Sequence, residues 1–162
     1  MDLAGPFKPQ SLGGAKYNFV LVDEATRFSW SYRLKKKFVV EVKLKEWIAI
    51  QANQSRPKLK ILRSDYGGEF TKESLKRWLA AKGVVQEFTP PRQPQANGMV
   101  ERMNRTLQDR CKSMMTGAGI SGGLWAEAMA TATYLRNIGP VSGLSKSPFE
   151  LLTGKRPTVD NC

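Results

Sequence analysis

Histidine is absent from the sequence, and its two cysteines, Cys111 and Cys162, stand far apart with no CxxC pair. A Cys/His zinc site is therefore excluded. Two isolated thiols fit a chain that keeps them reduced in a reducing compartment. No stretch approaches the ~20 apolar residues of a membrane span, and no signal-peptide pattern opens the chain. Acid is scarce as well: 14 Asp and Glu face 26 Lys and Arg, a net charge of +12 with a pI near 10.0. A field of that sign attracts polyanions, of which nucleic acid is the commonest. With 41% hydrophobic and 25% charged residues over 162 positions, the rest is ordinary for one globular domain.

Periodicity gives the order of elements. Tyr17 to Val22 is aromatic and β-branched, a buried strand, and Phe28 to Leu34 alternates like a half-buried one. Asp23 to Arg27 is the polar turn between them, which makes Asp23 and Glu24 turn residues. Phe38 to Asn53 alternates at first, yet Val40, Leu44, Trp47 and Ile48 fit one helical face, and length favours the helix. Leu59 to Ser64 reads as a short strand ending at Asp65, and a helix from Thr71 or Lys72 stops at Gly83. Val84 to Phe88 is a further strand, broken by Pro90 and Pro91. A polar loop, Arg92 to Gly98, leads into a long helix from Met99 to about Thr116, and Leu124 to Asn137 forms another. After Gly139 the chain is loop-like, with one helical turn at Pro148 to Leu152. The pattern β-β-α-β-α-β-α-α, preceded by a stretch containing Asp2, describes an α/β mixed sheet with helices on its faces. Trp30, Trp47, Trp78 and Trp125 fall on apolar faces and read as core, as does Cys111.

Reactive groups in such sheets gather where strands end. Asp65 ends a strand and is followed by Gly67 and Gly68, which allow a tight turn and leave the carboxylate uncrowded. Taken alone, Asp65 also reads as a plain turn aspartate. Glu101 lies in the first turn of the Met99 helix, where the helix dipole favours a carboxylate. At about 100° per residue, Glu101, Arg105, Gln108 and Lys112 form one outward stripe, away from the apolar face of Val100, Met103 and Leu107. A solvated row of i,i+4 pairs would give the same stripe. Asp2 has almost no chain before it, so pattern says nothing of its role. Three carboxylates meeting at a sheet edge would suit hard divalent cations. Two such ions about 3.5–4 Å apart hold the attacking and leaving oxygens of an in-line phosphoryl displacement.

Thirty-five residues separate Asp65 from Glu101. That spacing, with Leu62-Arg63-Ser64-Asp65, Gly67-Gly68-Glu69-Phe70, Pro94-Gln95, Asn97-Gly98 and Asn104-Arg105-Thr106, resembles the integrase core of copia-like long-terminal-repeat retrotransposons. Asp2-Leu3 with Gly5-Pro6 resembles the stretch bearing that family's first catalytic aspartate. Leu124 to Ala128, Ser147 to Glu150 and Gly154 to Pro157 resemble its downstream continuation. Tyr66 departs from the pattern, standing where the family usually has Asn; Ala96 replaces a frequent Gln and Arg92 a frequent Tyr.

The resemblance implies a ribonuclease-H-like mixed sheet flanked by helices, with its first strand truncated. It implies Asp2, Asp65 and Glu101 as catalytic residues and ligands of two Mg²⁺ or Mn²⁺ ions. Asn97, Asn104, Arg105 and Gln108 would line a DNA end. The implied activity is 3′ end processing followed by transfer of the exposed 3′ hydroxyl into target DNA. A homo-oligomer acting on chromosomal DNA in the nucleus is implied too. The expected organisation is a core over residues 1–138 and an extension over 139–162, a fragment without the zinc-binding domain usual upstream. Two other readings stay open: a related nuclease that only hydrolyses, and a basic DNA-binding remnant of a decayed element without catalysis.

Overall fold

The computed structural model describes residues 1–54, 58–89 and 94–158, with the side chains of 94–97 outside that description. Five strands and five helices follow in order: β1 (Asp2–Ala4), β2 (Tyr17–Val22), β3 (Ser29–Leu34), α1 (Val39–Ala52), β4 (Ile61–Ser64), α2 (Glu73–Ala81), β5 (Val85–Phe88), α3 (Pro94–Gly117), α4 (Trp125–Ile138) and α5 (Pro148–Thr153). A single 3₁₀ turn, Gly122–Leu124, leads into α4. Among the described residues no helix is long and apolar enough to cross a membrane.

The strand β2 organises the sheet. It pairs antiparallel with β1 on one side (Asp2 opposite Val20) and with β3 on the other (Tyr17 opposite Leu34, Val22 opposite Ser29). A parallel pair, β4 with β5, runs in register from Ile61 opposite Val85 to Ser64 opposite Phe88. The Met1 amino group donates to the Arg63 carbonyl at 2.6 Å and brings β1 alongside β4.

Because side chains alternate across a strand, β2 feeds two cores at once. Phe19 and Leu21 face Val40, Leu44 and Trp47 of α1 and Leu75 and Leu79 of α2. Val20 faces the other way, into Val100, Met103 and Leu107 of α3 and Trp125, Met129 and Ala132 of α4. Burial on both faces explains the unbroken apolar run, and the result is a sheet between two helical layers. Of the four tryptophans, Trp47 and Trp125 are buried, while Trp30 and Trp78 pack half-buried at the margin of the first core.

The element order agrees with the sequence reading, and one boundary differs. Helix α3 begins at Pro94 rather than Met99, so the expected loop from Arg92 to Gly98 is helical from Pro94 on, and its first two positions lie outside the described residues. Proline is preorganised for the first helical position, where its missing N–H is not needed. Gly98 is buried within the helix, where an added Cβ would lie 3.1 Å from the Arg102 guanidinium. Glu101 therefore sits about two turns into α3, beyond the reach of the helix dipole, and that reason for an acid there falls away. The helical turn at Pro148 is α5, capped by Ser147, whose hydroxyl accepts from the Glu150 N–H at 3.2 Å. It packs against α4, so the segment after Gly139 returns to the domain.

A buried amide fixes α4 to the sheet. The Asn137 carbonyl oxygen accepts from the Ser29 N–H at 2.9 Å and the Ser29 hydroxyl at 3.1 Å, and its NH₂ donates to the Ser29 carbonyl at 2.8 Å. Replacing Asn137 by Leu strands both Ser29 backbone groups away from water, each worth about 1–3 kcal/mol. Asn137→Leu is expected to lose about 2–4 kcal/mol, read as a lower urea midpoint at unchanged slope.

Candidate active site at the β1–β4 edge

Asp65 follows the last residue of β4. Its Oδ1 accepts the Gly67 N–H at 3.0 Å, a turn closed by the side chain on its own backbone. Space at Gly67 is tight: a Cβ there would stand 3.0 Å from Asp65 Oδ1 and 3.1 Å from Glu69 Cδ. The Phe70 N–H bonds back to the Gly67 carbonyl at 2.8 Å, and the Phe70 ring is buried against Phe19, which anchors the turn in the first core. The carboxylate itself is exposed.

Asp2 comes from the neighbouring strand. Its Oδ1 accepts the Leu3 N–H at 2.8 Å, and its Oδ2 accepts the Asn104 NH₂ from α3. Asn104 is buried, and its carbonyl oxygen has no partner among the described residues. The Met1 amino group lies within electrostatic reach of both aspartates. Burial drives its pKa down to about 6, against the charges of Asp2 and Asp65, which act to raise it. The charges of these two carboxylates thus reach one buried amino group.

Glu101 is exposed on α3, one turn before Asn104 and about 60° from it around the helix axis. The Asn104–Asp2 bond therefore sets this edge of α3 against β1. Among the described residues no three Asp, Glu, Cys or His side chains stand close enough to hold one ion together, so Asp2, Asp65 and Glu101 do not form a closed three-carboxylate cluster. The donor chemistry nevertheless suits a hard divalent cation: carboxylate oxygens, and beside Asp2 the orphaned buried oxygen of Asn104.

The remaining residues expected at a DNA end divide. Arg105 is exposed beside Glu101. Gln108 is half-buried and lines a cavity of about 180 Å³ with Phe7, Lys8, Lys112 and Trp125. Asn104 is turned inward onto Asp2. The side chain of Asn97 lies outside the described residues. Asp23 is a turn residue, its carboxylate accepting the Thr26 N–H at 2.8 Å and the Thr26 hydroxyl at 2.7 Å. Glu24 lies 3.6 Å from Arg63, which also pairs with Glu87 at 2.9 Å. Cys111 is a free buried thiol whose pKa burial pushes up.

Two features of the site escaped the sequence reading. Asn104 as the partner of Asp2 needs a contact across 102 positions, which no local pattern reports. Tyr66, exposed beside Asp65, lies stacked on Phe88 with ring centroids 5.0 Å apart. Its departure from the family pattern was visible, but its resting place at the end of β5 was not.

Comparison with known proteins shows the family. A family model described as integrase core domain matches residues 1–94, and a second of the same description matches residues 82–122. A retrovirus-related Pol polyprotein from transposon TNT 1-94 of Nicotiana tabacum is 40% identical over 139 residues, 86% of this chain and 10% of that protein. The Pol polyprotein from transposon RE2 of Arabidopsis thaliana is 30% identical over 93% of this chain and 10% of its own length. The transposon Ty1-LR3 Gag-Pol polyprotein of Saccharomyces cerevisiae is 29% identical over 94% of this chain and 9% of its own length. The chain thus spans about a tenth of the curated relatives it matches. Among solved structures, a chain of a simian T-cell lymphotropic virus intasome, determined by cryo-electron microscopy in complex with PP2A regulatory subunit B56 gamma, superposes with a TM-score of 0.75. That match covers 99% of this chain and 56% of the other at 16% identity, a likeness of fold. With a family model matching residues 1–94 and a transposon Pol polyprotein 40% identical over 86% of this chain, the chain belongs to the integrase core domain family.

Proposed function

We propose that this chain is the catalytic core of a retrotransposon integrase, a metal-dependent polynucleotidyl transferase that processes the 3′ ends of element DNA and joins them to target DNA. The observation that carries the reading is that Asp2 and Asp65 both act on the Met1 amino group that brings β1 beside β4, with α3 fastened to β1 through Asn104. Asp2 and Asp65 would hold a divalent cation, with Glu101 reaching in from α3. When bound, such an ion polarises a phosphoryl oxygen and lowers the pKa of an attacking hydroxyl.

The protein's own part is placement. The Gly67 turn holds Asp65 at the end of β4, and Asn104 holds Asp2 by one oxygen. Arg105, exposed on the same side of α3 as Glu101, is suited to a phosphate of the DNA end. In end processing, water attacks a phosphodiester near the 3′ end and the terminal nucleotides leave. In joining, the freed 3′ hydroxyl attacks a target phosphodiester; one P–O bond forms, one breaks, and the departing 3′ oxygen takes a proton. Bond count is conserved, so no external energy source is needed. The charge of +12 around an acidic edge suits this division, cations for the DNA and carboxylates for the metal. The same reading assigns element ends and chromosomal target DNA as partners, a homo-oligomer as the working form and the nucleus as its place of action.

The test is a labelled duplex with Mg²⁺ or Mn²⁺, scoring trimmed and joined products. Joining that disappears in Asp65→Asn and in Glu101→Gln supports the proposal. Trimming without joining would leave the hydrolytic alternative, and DNA binding with no metal-dependent product would leave the non-catalytic remnant. Asn104→Leu removes the bond that orients Asp2, and a displacement of ~1 Å there is expected to slow product formation about 10²-fold. Duplex affinity, measured separately by fluorescence anisotropy, should stay as it is in the unsubstituted chain.

A further inference from the structure

The buried stripe of α3 has two margins. Glu101, Asn104 and Gln108 run along one. Arg110, nine residues after Glu101, stands about 180° from it and marks the other. On that second flank Arg136 lies within electrostatic reach of two other arginines, each from a separate element. Arg27 comes from the turn between β2 and β3, Arg110 from α3 and Arg136 from the last turn of α4.

Several observations distinguish this group from a scatter of surface cations. Arg136 is half-buried, and one of its terminal nitrogens, Nη1, is buried with no hydrogen-bond partner among the described residues. Its pKa is lowered first by burial, then by Arg110 and Arg27, and no acid acts in the opposite direction. None of the three belongs to an ion pair among the described residues. Arg27 finds only the Met99 sulfur, a weak acceptor for a guanidinium. It also holds a left-handed backbone, φ 61°, the only residue besides glycine to do so among those described. Of the two acids just before Arg27 in the chain, Asp23 spends its carboxylate on Thr26 and Glu24 lies 3.6 Å from Arg63. The framework is firm: Asn137, next to Arg136, is clasped to Ser29, two residues beyond Arg27.

A half-buried guanidinium with an idle nitrogen and two like charges nearby is an unfavourable arrangement in the free protein. Strain and unmet polar demand of this kind persist where a ligand relieves them. The planar donors of arginine match phosphate oxygens two at a time, and a cluster of them is a phosphate-recognition device. Which phosphate is indicated by the rest of the chain. The net charge of +12 favours a polyanion over a lone ion, and α3 already presents Arg105 on its other flank.

We propose that Arg27, Arg110 and Arg136 form a second duplex-DNA contact, gripping the phosphate backbone on the flank of α3 opposite Glu101. The contact rests on the integrase reading for its ligand, but not on catalysis. It holds DNA by charge and shape and reads no bases, so it leaves the sequence preference of the enzyme unchanged. With it, one helix lies between two DNA segments, one toward the carboxylates and one toward the arginines.

The test is binding of a random-sequence duplex over a range of salt in EDTA, using the full chain and the variants Arg27→Gln, Arg110→Gln and Arg136→Gln. Each substitution is expected to flatten the plot of log affinity against log salt by about 0.9, one phosphate contact, equally for duplexes of different sequence. Arg110→Lys should keep the slope. Melting temperature should hold or rise in Arg136→Gln, because repulsion is relieved, which separates lost contact from lost fold. A slope unchanged in all three variants overturns the proposal. So does a loss of stabilisation by pyrophosphate in variants that bind DNA as before, since the cluster would then serve another anion. If the unsubstituted chain binds duplex but joins no ends, the integrase reading fails while the slopes still decide the arginine contact.

Discussion

One hydrogen bond, from the Asn104 amide to the Asp2 carboxylate, connects the helical layer to β1. Without it, β1 is a three-residue strand paired along β2, and α3 is an amphipathic helix resting on the second core. With it, the helix bearing Glu101 is fixed in rotation against the carboxylate of β1. The bond is buried at its donor end, where competition from water is weakest. The direction in which Glu101 points depends on that rotation, because Glu101 lies one turn from Asn104 on the same helix.

The sheet supplies the second constraint. Since β2 is apolar on both faces, α1 and α2 must cover one side and α3 and α4 the other. Asp65 then emerges at the end of β4 next to the start of β1, because β4 and β1 are neighbours through Met1 and Arg63. The position of the candidate site follows from the packing of Phe19, Val20 and Leu21 in opposite directions, before any metal is considered.

Much of this was legible in the residues. Periodicity found β2, β3, α1, β4, α2, β5 and α4 to within a residue or two at most ends, since each has a clear apolar face or a glycine stop. The start of α3 was misread because Asn97-Gly98 signals a turn locally, whereas Pro94 and the packing of Val100 and Met103 carry the helix through it. The spacing from Asp65 to Glu101 was readable, as was the family. The partnership of Asp2 with Asn104, the seat of Tyr66 on Phe88 and the gathering of Arg27, Arg110 and Arg136 were not. Each joins residues far apart in sequence, and periodicity carries no information about contacts between elements.

The crowding of like charge on the Arg110 flank, within a chain of net charge +12, gives ionic strength two opposite effects. Added salt screens the mutual repulsion of the cations and so favours the compact state of the free protein. The same salt removes the entropy gained when condensed counterions leave DNA, and so loosens any nucleic-acid complex. A domain built this way is at its sturdiest in brine and its most adhesive in dilute buffer, with folding and grip drawing on the same charges in contrary directions.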